Sequence, residues 1–310
     1  MGVLLLFFAV ASAYDVSGRI DPQARAAVSL HGATTPFTIT TESDEAGRFS
    51  FKKIASGTYT LAIFVPSRGE ARQTIEVGPG SADEHGRVNL IVHLKDSDFV
   101  TEPVRRRHAV TARELAVPDK ALREYQDAQK DLQRPDTAAA VKHLEQAVKL
   151  APQFSEAWNN LGTIAYQTRQ FPRAEECFRQ SLAADPTAFE PLVNLGGVLV
   201  TLHKLDEALD YNVRAVLTRP GDALANSQLG MVYFELGQFD QAVKYLERAR
   251  EIDPAHFSHP QLILAEIHLR RGETRAAADV LEDFLAHHPD YPQAAAVRRN
   301  IEKFRSEPKL

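Results

Sequence analysis

The sequence contains one cysteine, Cys177, one tryptophan and two methionines among 310 residues. A single cysteine excludes a disulfide within this sequence and a cysteine-based metal cluster. Long apolar runs are also scarce, since residues 3–11 form a run too short to cross a bilayer. Positive charge is in deficit, because 36 lysines and arginines stand against 41 aspartates and glutamates, a net charge of -5. This balance argues against nucleic acid as a partner.

Motifs that carry catalysis are missing from the sequence as well. It has no glycine-rich phosphate loop, no nucleophile elbow and no HExxH motif. The acidic pairs Glu175 with Glu176 and Glu282 with Asp283 fall on helix faces that we expect to be solvated, and we expect Cys177 to be a small buried apolar residue. We therefore predict a protein that is not an enzyme and that needs no cofactor.

Two short clusters contain residue types that bind metals. One is formed by Asp83, Glu84 and His85, and the other by His256 and His259. Both lie in turn-like segments without further ligands at the spacing of a metal site. We interpret them as solvated loops and predict no metal.

The N-terminus has the pattern of a secretory signal. Its apolar run is followed by Ala11, Ser12 and Ala13, the small-x-small pattern of a signal-peptidase site. We expect residues 1–13 to be a signal peptide, and the mature chain, without a membrane span, to be periplasmic or secreted. No lysine or arginine precedes the apolar run, so the alternative is an uncleaved first strand in a cytoplasmic protein.

Residues 14–95 alternate apolar and polar side chains with the period of two that is typical of strands. The alternating segments are DVSGRI, AAVSLHG, PFTITT, GRFSF, TYTLAIFV, RQTIEV and RVNLIVHL. Turn-forming residues, such as Asp21-Pro22 and Gly78-Pro79-Gly80, separate them. Seven short strands that each cover one face predict two antiparallel sheets packed as a small β-sandwich.

Within this region, the stretch TTESDEAGRFSFKKIASGTYTLAIFV has a distinctive order of turn and aromatic residues, at Asp44, Gly47, Phe49, Gly57 and Tyr59. It resembles the carboxypeptidase regulatory-like domain, a prealbumin-like sandwich often attached to exported bacterial proteins. Such domains resemble carbohydrate-binding folds, so the resemblance implies weak glycan binding as an alternative role. Against this role, the aromatic residues alternate as core residues do, and the region has no tryptophan to stack on a sugar.

Residues 96–117 are polar and have no sustained period, so we interpret them as a linker. Arg105, Arg106 and Arg107 lie within it. Three charges without amphipathic flanks are typical of a solvated hinge, and an anion-binding or membrane-surface patch is the alternative.

A constant repeat length governs the following part of the chain. Prolines recur at Pro152, Pro186, Pro220, Pro254 and Pro289, so that successive ones lie about 34 residues apart. Small residues keep this register at Ala140, Ala174, Ala208 and Ala242. Leucine–glycine pairs keep it at Leu161-Gly162, Leu195-Gly196 and Leu229-Gly230. Because the prolines, the alanines and the leucine–glycine pairs all recur at the same interval, the sequence predicts stacked helical hairpins.

The most complete copy is residues 223–256, with Leu229, Gly230, Tyr233, Ala242 and Pro254 in place. This pattern resembles the tetratricopeptide repeat, and the resemblance implies an all-α solenoid over residues 118–289. The expected repeats are 118–153, 155–188, 189–222, 223–256 and 257–290, followed by a capping helix at 291–306. Two departures are Asn212, where an aromatic residue or leucine is usual, and one residue inserted near 257–260.

The resemblance also implies a site, because in this family the first helices of the repeats line a concave groove that receives segments of partner proteins. Position six of each repeat faces this groove, and here it holds four amides, at Gln126, Asn160, Asn194 and Gln228. The expected neighbouring groove residues are Tyr125, Gln129, Asn159, Thr163, Tyr166, Gln167, Met231, Phe234 and Glu235. These positions lack lysine and arginine, which argues against a clamp for a terminal carboxylate.

Amide side chains both donate and accept hydrogen bonds, so they suit a peptide backbone without demanding one sequence. For some of the four, a purely structural role is an equal alternative. The sequence therefore favours an exported scaffold that binds a segment of a partner protein in the groove of the repeats. The alternative is a glycan- or envelope-surface-binding protein in which the β-sandwich recognises the ligand and the repeats are a spacer.

Overall fold

A computed structural model describes residues 13–33, 38–66, 68–96, 99, 117–133, 136–289 and 291–306. The chain divides into a β unit, which ends at residue 99, and a helical unit after it. Of the expected signal peptide, residues 1–12 lie outside the described residues, as does most of the expected linker with Arg105, Arg106 and Arg107. None of the helices in the described ranges has both the length and the apolar composition of a membrane span.

The β unit contains seven strands in the described residues. They are β1 (Ala13–Asp21), β2 (Ala27–Gly32), β3 (Thr38–Glu42), β4 (Arg48–Ala55), β5 (Gly57–Val65), β6 (Gly69–Val77) and β7 (Arg87–His93). They form a three-stranded sheet in the order β4-β1-β7 and a four-stranded sheet in the order β3-β2-β5-β6. The prediction of a small all-β unit with two sheets is confirmed.

One strand pair differs from the antiparallel arrangement that we expected. β1 and β7 are parallel, with Asp15 opposite Arg87 and Asp21 opposite His93. β7 follows β6 along the chain but lies in the other sheet, so no hairpin joins it to its partner. Only a tight hairpin forces two strands to be antiparallel, and alternation of side chains carries no information on strand direction.

Alternate side chains of the strands are buried, which forms the interior of the β unit. The largest fully buried side chains here are Ile20, Leu30, Ile54, Leu61 and Ile63. Phe49, Phe51 and Tyr59 are buried too, and the Tyr59 hydroxyl donates to the Ala55 carbonyl at 2.8 Å. The interpretation of these three aromatic residues as core is confirmed, whereas Phe64 is half-buried.

Two turns of the β unit are organised by aspartates. The Asp44 carboxylate accepts from the backbone N–H of Arg48 at 2.8 Å, and the Asp83 carboxylate accepts from those of His85 and Arg87 at 2.9 Å each. In both turns, the hydrogen bond from the arginine backbone is the largest cause, and it lowers the pKa of the aspartate. Asp83 is therefore engaged within its own turn.

The helical unit contains eleven helices in the described residues. They are α1 (Asp119–Gln133), α2 (Thr137–Leu150), α3 (Ser155–Gln167), α4 (Phe171–Ala184), α5 (Phe189–Thr201), α6 (Leu205–Thr218), α7 (Ala223–Glu235), α8 (Phe239–Ile252), α9 (Pro260–Arg270), α10 (Thr274–His287) and α11 (Ala294–Ser306). Each odd-numbered helix up to α9 packs against the next even-numbered one as a hairpin.

Inside each hairpin, a glycine of the first helix lets the second helix approach closely. A Cβ added to Gly162 of α3 would lie 2.5 Å from the Phe178 ring of α4. A Cβ added to Gly230 of α7 would lie 2.6 Å from Leu246 of α8. Phe178 and Leu246 are fully buried, so the large side chain occupies the space that the missing Cβ leaves free.

Asn212 occupies the corresponding place in the third hairpin. It is fully buried against Gly196, and its Nδ2 donates to the Ala208 carbonyl at 2.8 Å. Its Oδ1 is buried and has no hydrogen-bond partner among the described residues. The departure from the repeat pattern thus places a half-satisfied amide where the neighbouring hairpins have a phenylalanine and a leucine.

The turns inside the second to fifth hairpins each use a residue with positive φ. Gly237 and Gly272 have φ of +72° and +75°, as expected for glycines that end a helix. In the second and third hairpins, Arg169 and His203 adopt φ of +58° and +56° at the equivalent place. The sequence did not identify these two positions, because side chains other than glycine and asparagine seldom adopt this conformation.

The fifth hairpin departs from the regular spacing. α5 begins at Phe189 and α7 at Ala223, so one further repeat of equal length would start α9 at Phe257, whereas α9 begins at Pro260. The extra length forms a loop that ends at His259, which has a φ of +50°. After α10, the helix α11 packs apolar side chains, Val297 among them, into the same cluster as those of α10.

Candidate partner-binding surface on the first helices

The first helices of the hairpins, α3, α5, α7 and α9, contact one another in sequence order. The candidate residues lie on α1 (Tyr125, Gln126, Gln129), α3 (Asn159, Asn160, Thr163, Tyr166, Gln167), α5 (Asn194) and α7 (Gln228, Met231, Phe234, Glu235). We call the surface that carries these thirteen residues the first-helix surface. None of the thirteen residues is fully buried, and Gln126, Tyr166 and Glu235 are exposed.

Hydrogen bonds join equivalent faces of successive first helices. Asn160 Nδ2 donates to the Tyr125 hydroxyl at 3.2 Å, which connects α3 to α1. Asn194 Nδ2 donates to Asn159 Oδ1 at 3.0 Å, which connects α5 to α3. Both pairs are separated by 35 residues in sequence, so the same contact recurs one repeat later. The structure brings these four candidates into one continuous strip.

The strip continues from α5 to α7 through a glycine. A Cβ added to Gly197 of α5 would lie 2.7 Å from Gln228 Nε2, so the Gln228 side chain lies directly against the α5 backbone. The repeat pattern gave no reason to single out Gly197, because it follows the glycine that the family signature requires. A side chain at this position would displace Gln228 from the strip.

Two amides of the surface have unused hydrogen-bonding capacity. Gln167 Nε2 and Gln228 Oε1 are buried atoms without a hydrogen-bond partner among the described residues. One is a donor and the other an acceptor. A buried polar atom that remains unpaired costs about 1–3 kcal/mol. Both atoms are inaccessible in the unliganded chain, so a ligand that offers a carbonyl and an N–H pairs with them only if the two side chains turn outward on binding.

Tyr125 is a partly buried polar group of the strip. Its ring packs against Phe154 with centroids 4.8 Å apart. Burial raises the pKa of its phenol, Glu156 adds to this effect, and hydrogen bonds with Asn160 and Gln129 oppose it. The hydroxyl therefore stays neutral near pH 7 and keeps both its donor and its acceptor function.

The α7 end of the surface is aromatic and carries a cation that the sequence prediction missed. The Arg270 guanidinium of α9 lies 4.7 Å from the centroid of Phe234 and 5.7 Å from that of Phe239. Arg270 Nε also donates to Glu266 at 2.8 Å. The thirteen predicted positions contain no lysine or arginine, and Arg270 lies beside them at the position that corresponds to Glu235 once the residue inserted before α9 is counted.

Other candidate residues serve the helices themselves. The Thr163 hydroxyl donates to the Asn159 carbonyl at 3.0 Å, one turn earlier in α3. The Tyr166 hydroxyl lies 3.4 Å from Thr201 Oγ1 on α5, and its ring packs against Phe171. These contacts fix the orientation of both side chains before any partner arrives.

The remaining reactive side chains of the helical unit are held in structural contacts. Cys177 is buried, and burial raises the pKa of its thiol to about 11, so it is a thiol rather than a thiolate at pH 7. Burial raises the pKa of Glu175, but hydrogen bonds from Lys204 and Arg179 outweigh this effect and lower it. Glu282 accepts two hydrogen bonds from Arg305 of α11.

In the part of the chain that the structure describes, no group of histidine, cysteine or carboxylate side chains is arranged to hold a metal ion. The residues near Asp83 hold a turn. His256 is buried and His259 is partly buried against aromatic side chains, so the interpretation of their segment as a solvated loop was wrong.

Comparison with known proteins identifies the repeats. Residues 233–301 match the model of the tetratricopeptide repeat, and residues 128–253 match that of the cilia and flagella-associated protein 70 middle TPR-like domain. The helical unit has the fold of a tetratricopeptide-like solenoid. The prediction of this fold, made from the regular recurrence of prolines and leucine–glycine pairs, is confirmed.

Several known proteins match this chain over its repeats. The human cell division cycle protein 16 homolog is 31% identical over 119 residues, which cover 36% of this chain and 19% of that protein. The matched segment therefore spans about a fifth of that relative. MamA from Desulfovibrio magneticus RS-1 has a TM-score of 0.51 at 22% identity, covering 56% of this chain and 98% of the solved one. PilW, a type IV pilus biogenesis factor, has a TM-score of 0.52 at 22% identity, covering 61% and 92%.

Proposed function

We propose that this protein is a non-enzymatic scaffold that binds an extended segment of a partner protein along the first-helix surface. The observation that carries the proposal is the strip of hydrogen-bonding side chains that runs from α1 to α7 through Tyr125, Asn160, Asn159, Asn194 and Gln228. Backbone-directed recognition requires donors and acceptors at regular intervals, and the repeat supplies them once per hairpin.

The chemistry of the surface indicates what kind of segment it binds. Neutral amides and the Tyr125 phenol cover the α1–α5 part, while Met231 and Phe234 make the α7 part apolar, with Arg270 beside it. A polar segment followed by an apolar or aromatic side chain matches this order. An acidic residue next to that side chain would meet Arg270.

The proposal includes the location and the role of the β unit. Its support is in the sequence: the apolar residues 3–11 with the Ala11-Ser12-Ala13 site favour export, and the turn pattern of residues 40–65 favours a carboxypeptidase regulatory-like module. The β unit then acts as an accessory module. Glycan recognition by it is less favoured, because Phe49, Phe51 and Tyr59 are buried and unavailable for stacking on a sugar.

Peptides selected from a random display library on the full chain provide a probe for this surface. We expect the double substitution Gln167→Ala with Gln228→Ala to weaken binding of a selected peptide about tenfold to a hundredfold, since each lost hydrogen bond contributes about 0.5–1.5 kcal/mol. Isothermal titration calorimetry measures the change.

The matched control is Gln180→Ala, which removes an exposed amide from the second helix α4. It should leave the affinity unchanged. We choose Gln167 and Gln228 rather than Asn160 and Asn194, because the latter two already donate to neighbouring helices and their loss would also change stability. Equal affinity of the double variant, the control and the unmodified chain would contradict the assignment of the surface.

A further inference from the structure

Three histidines lie close to the point where the fifth hairpin begins and ends. His256 lies in the loop before α9, His259 directly precedes α9, and His288 directly follows α10. His256 and His288 are buried, and His259 is partly buried. The rings of His259 and His288 meet edge to face with centroids 4.6 Å apart. We call these three residues the histidine cluster.

Aromatic contacts connect the histidine cluster to three elements. The His259 ring lies 5.3 Å from Phe284 of α10 and 5.7 Å from Tyr291, which precedes α11. Phe284 lies 4.7 Å from His288 and 4.9 Å from Tyr291. The start of α9, the end of α10 and the segment leading to α11 are thus joined by packed rings.

His256 is linked to α7 through Ser258. The backbone N–H of Ser258 donates to His256 Nδ1 at 3.2 Å, and in this arrangement the nitrogen carries no proton. The Ser258 hydroxyl lies 2.6 Å from the same nitrogen and 2.7 Å from the Ser227 hydroxyl of α7. A proton at Nδ1 would abolish the first of these bonds and disturb the link to α7.

His288 offers no partner for a proton either. Its Nε2 is buried and has no hydrogen-bond partner in the described part of the chain. The nearby Asp283 accepts from Arg250 at 3.4 Å and from Gln261 at 3.3 Å. A proton added at Nε2 of the His288 ring would therefore be buried without a hydrogen bond, which is costly.

The charged groups around the cluster do not offset this cost. Asp253 and Asp222 favour the charged form of His256, and Asp253 favours that of His288. His259, His287 and His256 oppose the charging of His288. Burial is the largest cause for all three histidines: it lowers the pKa of His256 and His259, and it lowers that of His288 to about 4.

A histidine in an open chain has a pKa near 6.5. We call the folded fifth hairpin the closed state and the unfolded one the open state. Because the pKa values of the three histidines are lower in the closed state, the open state binds more protons below about pH 6.5. Stability of the closed state is therefore complete above that pH and is lost progressively as the pH falls towards about 4, where His288 takes up its proton in the closed state as well.

We propose that the histidine cluster is a proton-operated latch: proton uptake under mildly acidic conditions opens α9, α10 and α11 while the preceding hairpins stay folded. The repeats contact mainly their neighbours, so a terminal hairpin opens without the rest of the array. Since α9 carries Arg270, opening would remove one end of the first-helix surface. The latch is independent of the proposed function, because it concerns the folding of this hairpin alone.

Hydrogen–deuterium exchange of the full chain at pH 7.5 and pH 5.0, corrected for the intrinsic exchange rate, tests the latch. Protection of residues 260–306 is compared with that of residues 155–184 in the same sample, which serves as an internal reference. The shift at His288 alone predicts a relative loss of protection of about 30-fold at pH 5.0. His288→Phe keeps a ring in the cluster but cannot take up a proton, so we expect it to reduce this loss at least tenfold.

A second pair of variants keeps the test decisive if His288→Phe does not fold. His259→Asn removes a cluster histidine at a positive φ that asparagine tolerates, and His203→Asn makes the same change at an exposed site with a φ of +56°. We expect His259→Asn to reduce the loss and His203→Asn to leave it as in the unmodified chain. The latch is refuted if both segments lose protection equally, or if His259→Asn loses as much as His203→Asn.

Discussion

The second and fourth hairpins differ from the fifth in the kind of side chain that they bury. In the former two, a glycine of the first helix faces a large buried apolar side chain of the second, Phe178 or Leu246. In the fifth, buried histidines and the half-satisfied Gln261 lie at the ends of the helices. Apolar pairs are insensitive to solution conditions, whereas buried titratable groups make stability depend on pH.

The third hairpin lies between these cases, because it buries a polar but uncharged side chain, Asn212. Substitutions at this position test how much a buried polar side chain changes the stability. Leucine has the same branching at Cγ as asparagine, and Leu246 fits against Gly230 in the next hairpin. Of the substitutions considered, we expect Leu246→Asn to have the largest effect. It should lower the free energy of unfolding by about 3 kcal/mol, because it removes a buried apolar side chain and buries an amide. Urea unfolding followed by circular dichroism measures it.

Asn212→Leu is the opposite substitution, made in the third hairpin. We expect it to stabilise the array by about 1 kcal/mol, since it replaces a buried unpaired oxygen with apolar contacts. A destabilisation by Asn212→Leu comparable to that by Leu246→Asn would show that the two hairpins do not share one packing scheme.

The smallest effect is expected in the hairpin turns. Arg169→Gly should stabilise the second hairpin by up to about 1 kcal/mol, because arginine has to adopt a left-handed conformation there at φ +58°. The matched change Gly237→Ala introduces the same strain into the fourth hairpin and should cost about 1 kcal/mol. Thermal unfolding of both variants provides the comparison. Opposite signs are required, and a stability loss in both would mean that the Arg169 side chain contributes more than its backbone costs.

The sequence predicted most of the fold because the features that determine it repeat. Alternation gave the strands, and Gly162, Gly230 and the prolines gave the hairpins at a constant interval. It could not give the parallel pairing of β1 with β7, since strand direction leaves no trace in alternation. It did not single out Arg270, although the residue inserted before α9 is visible in the sequence and places Arg270 in register with Glu235.

For the candidate site, the sequence predicted which residues lie on the first helices but not what they contact. Asn160 and Asn194 stand at the expected family position, yet both donate to a neighbouring repeat. The pairing depends on how far each hairpin is rotated against the next, and this rotation follows from the packing of the whole interface. The unpaired atoms of Gln167 and Gln228 are equally a result of that packing.

Site-specific crosslinking tests the central claim most directly. A photoreactive amino acid at Gln126, which is exposed on α1 of the first-helix surface, is compared with the same amino acid at Gln180 on α4. With a library-selected peptide as ligand, the account predicts a crosslink from position 126 that disappears in the Gln167→Ala, Gln228→Ala double variant, and none from position 180. Crosslinking from position 180 but not from position 126 would contradict it.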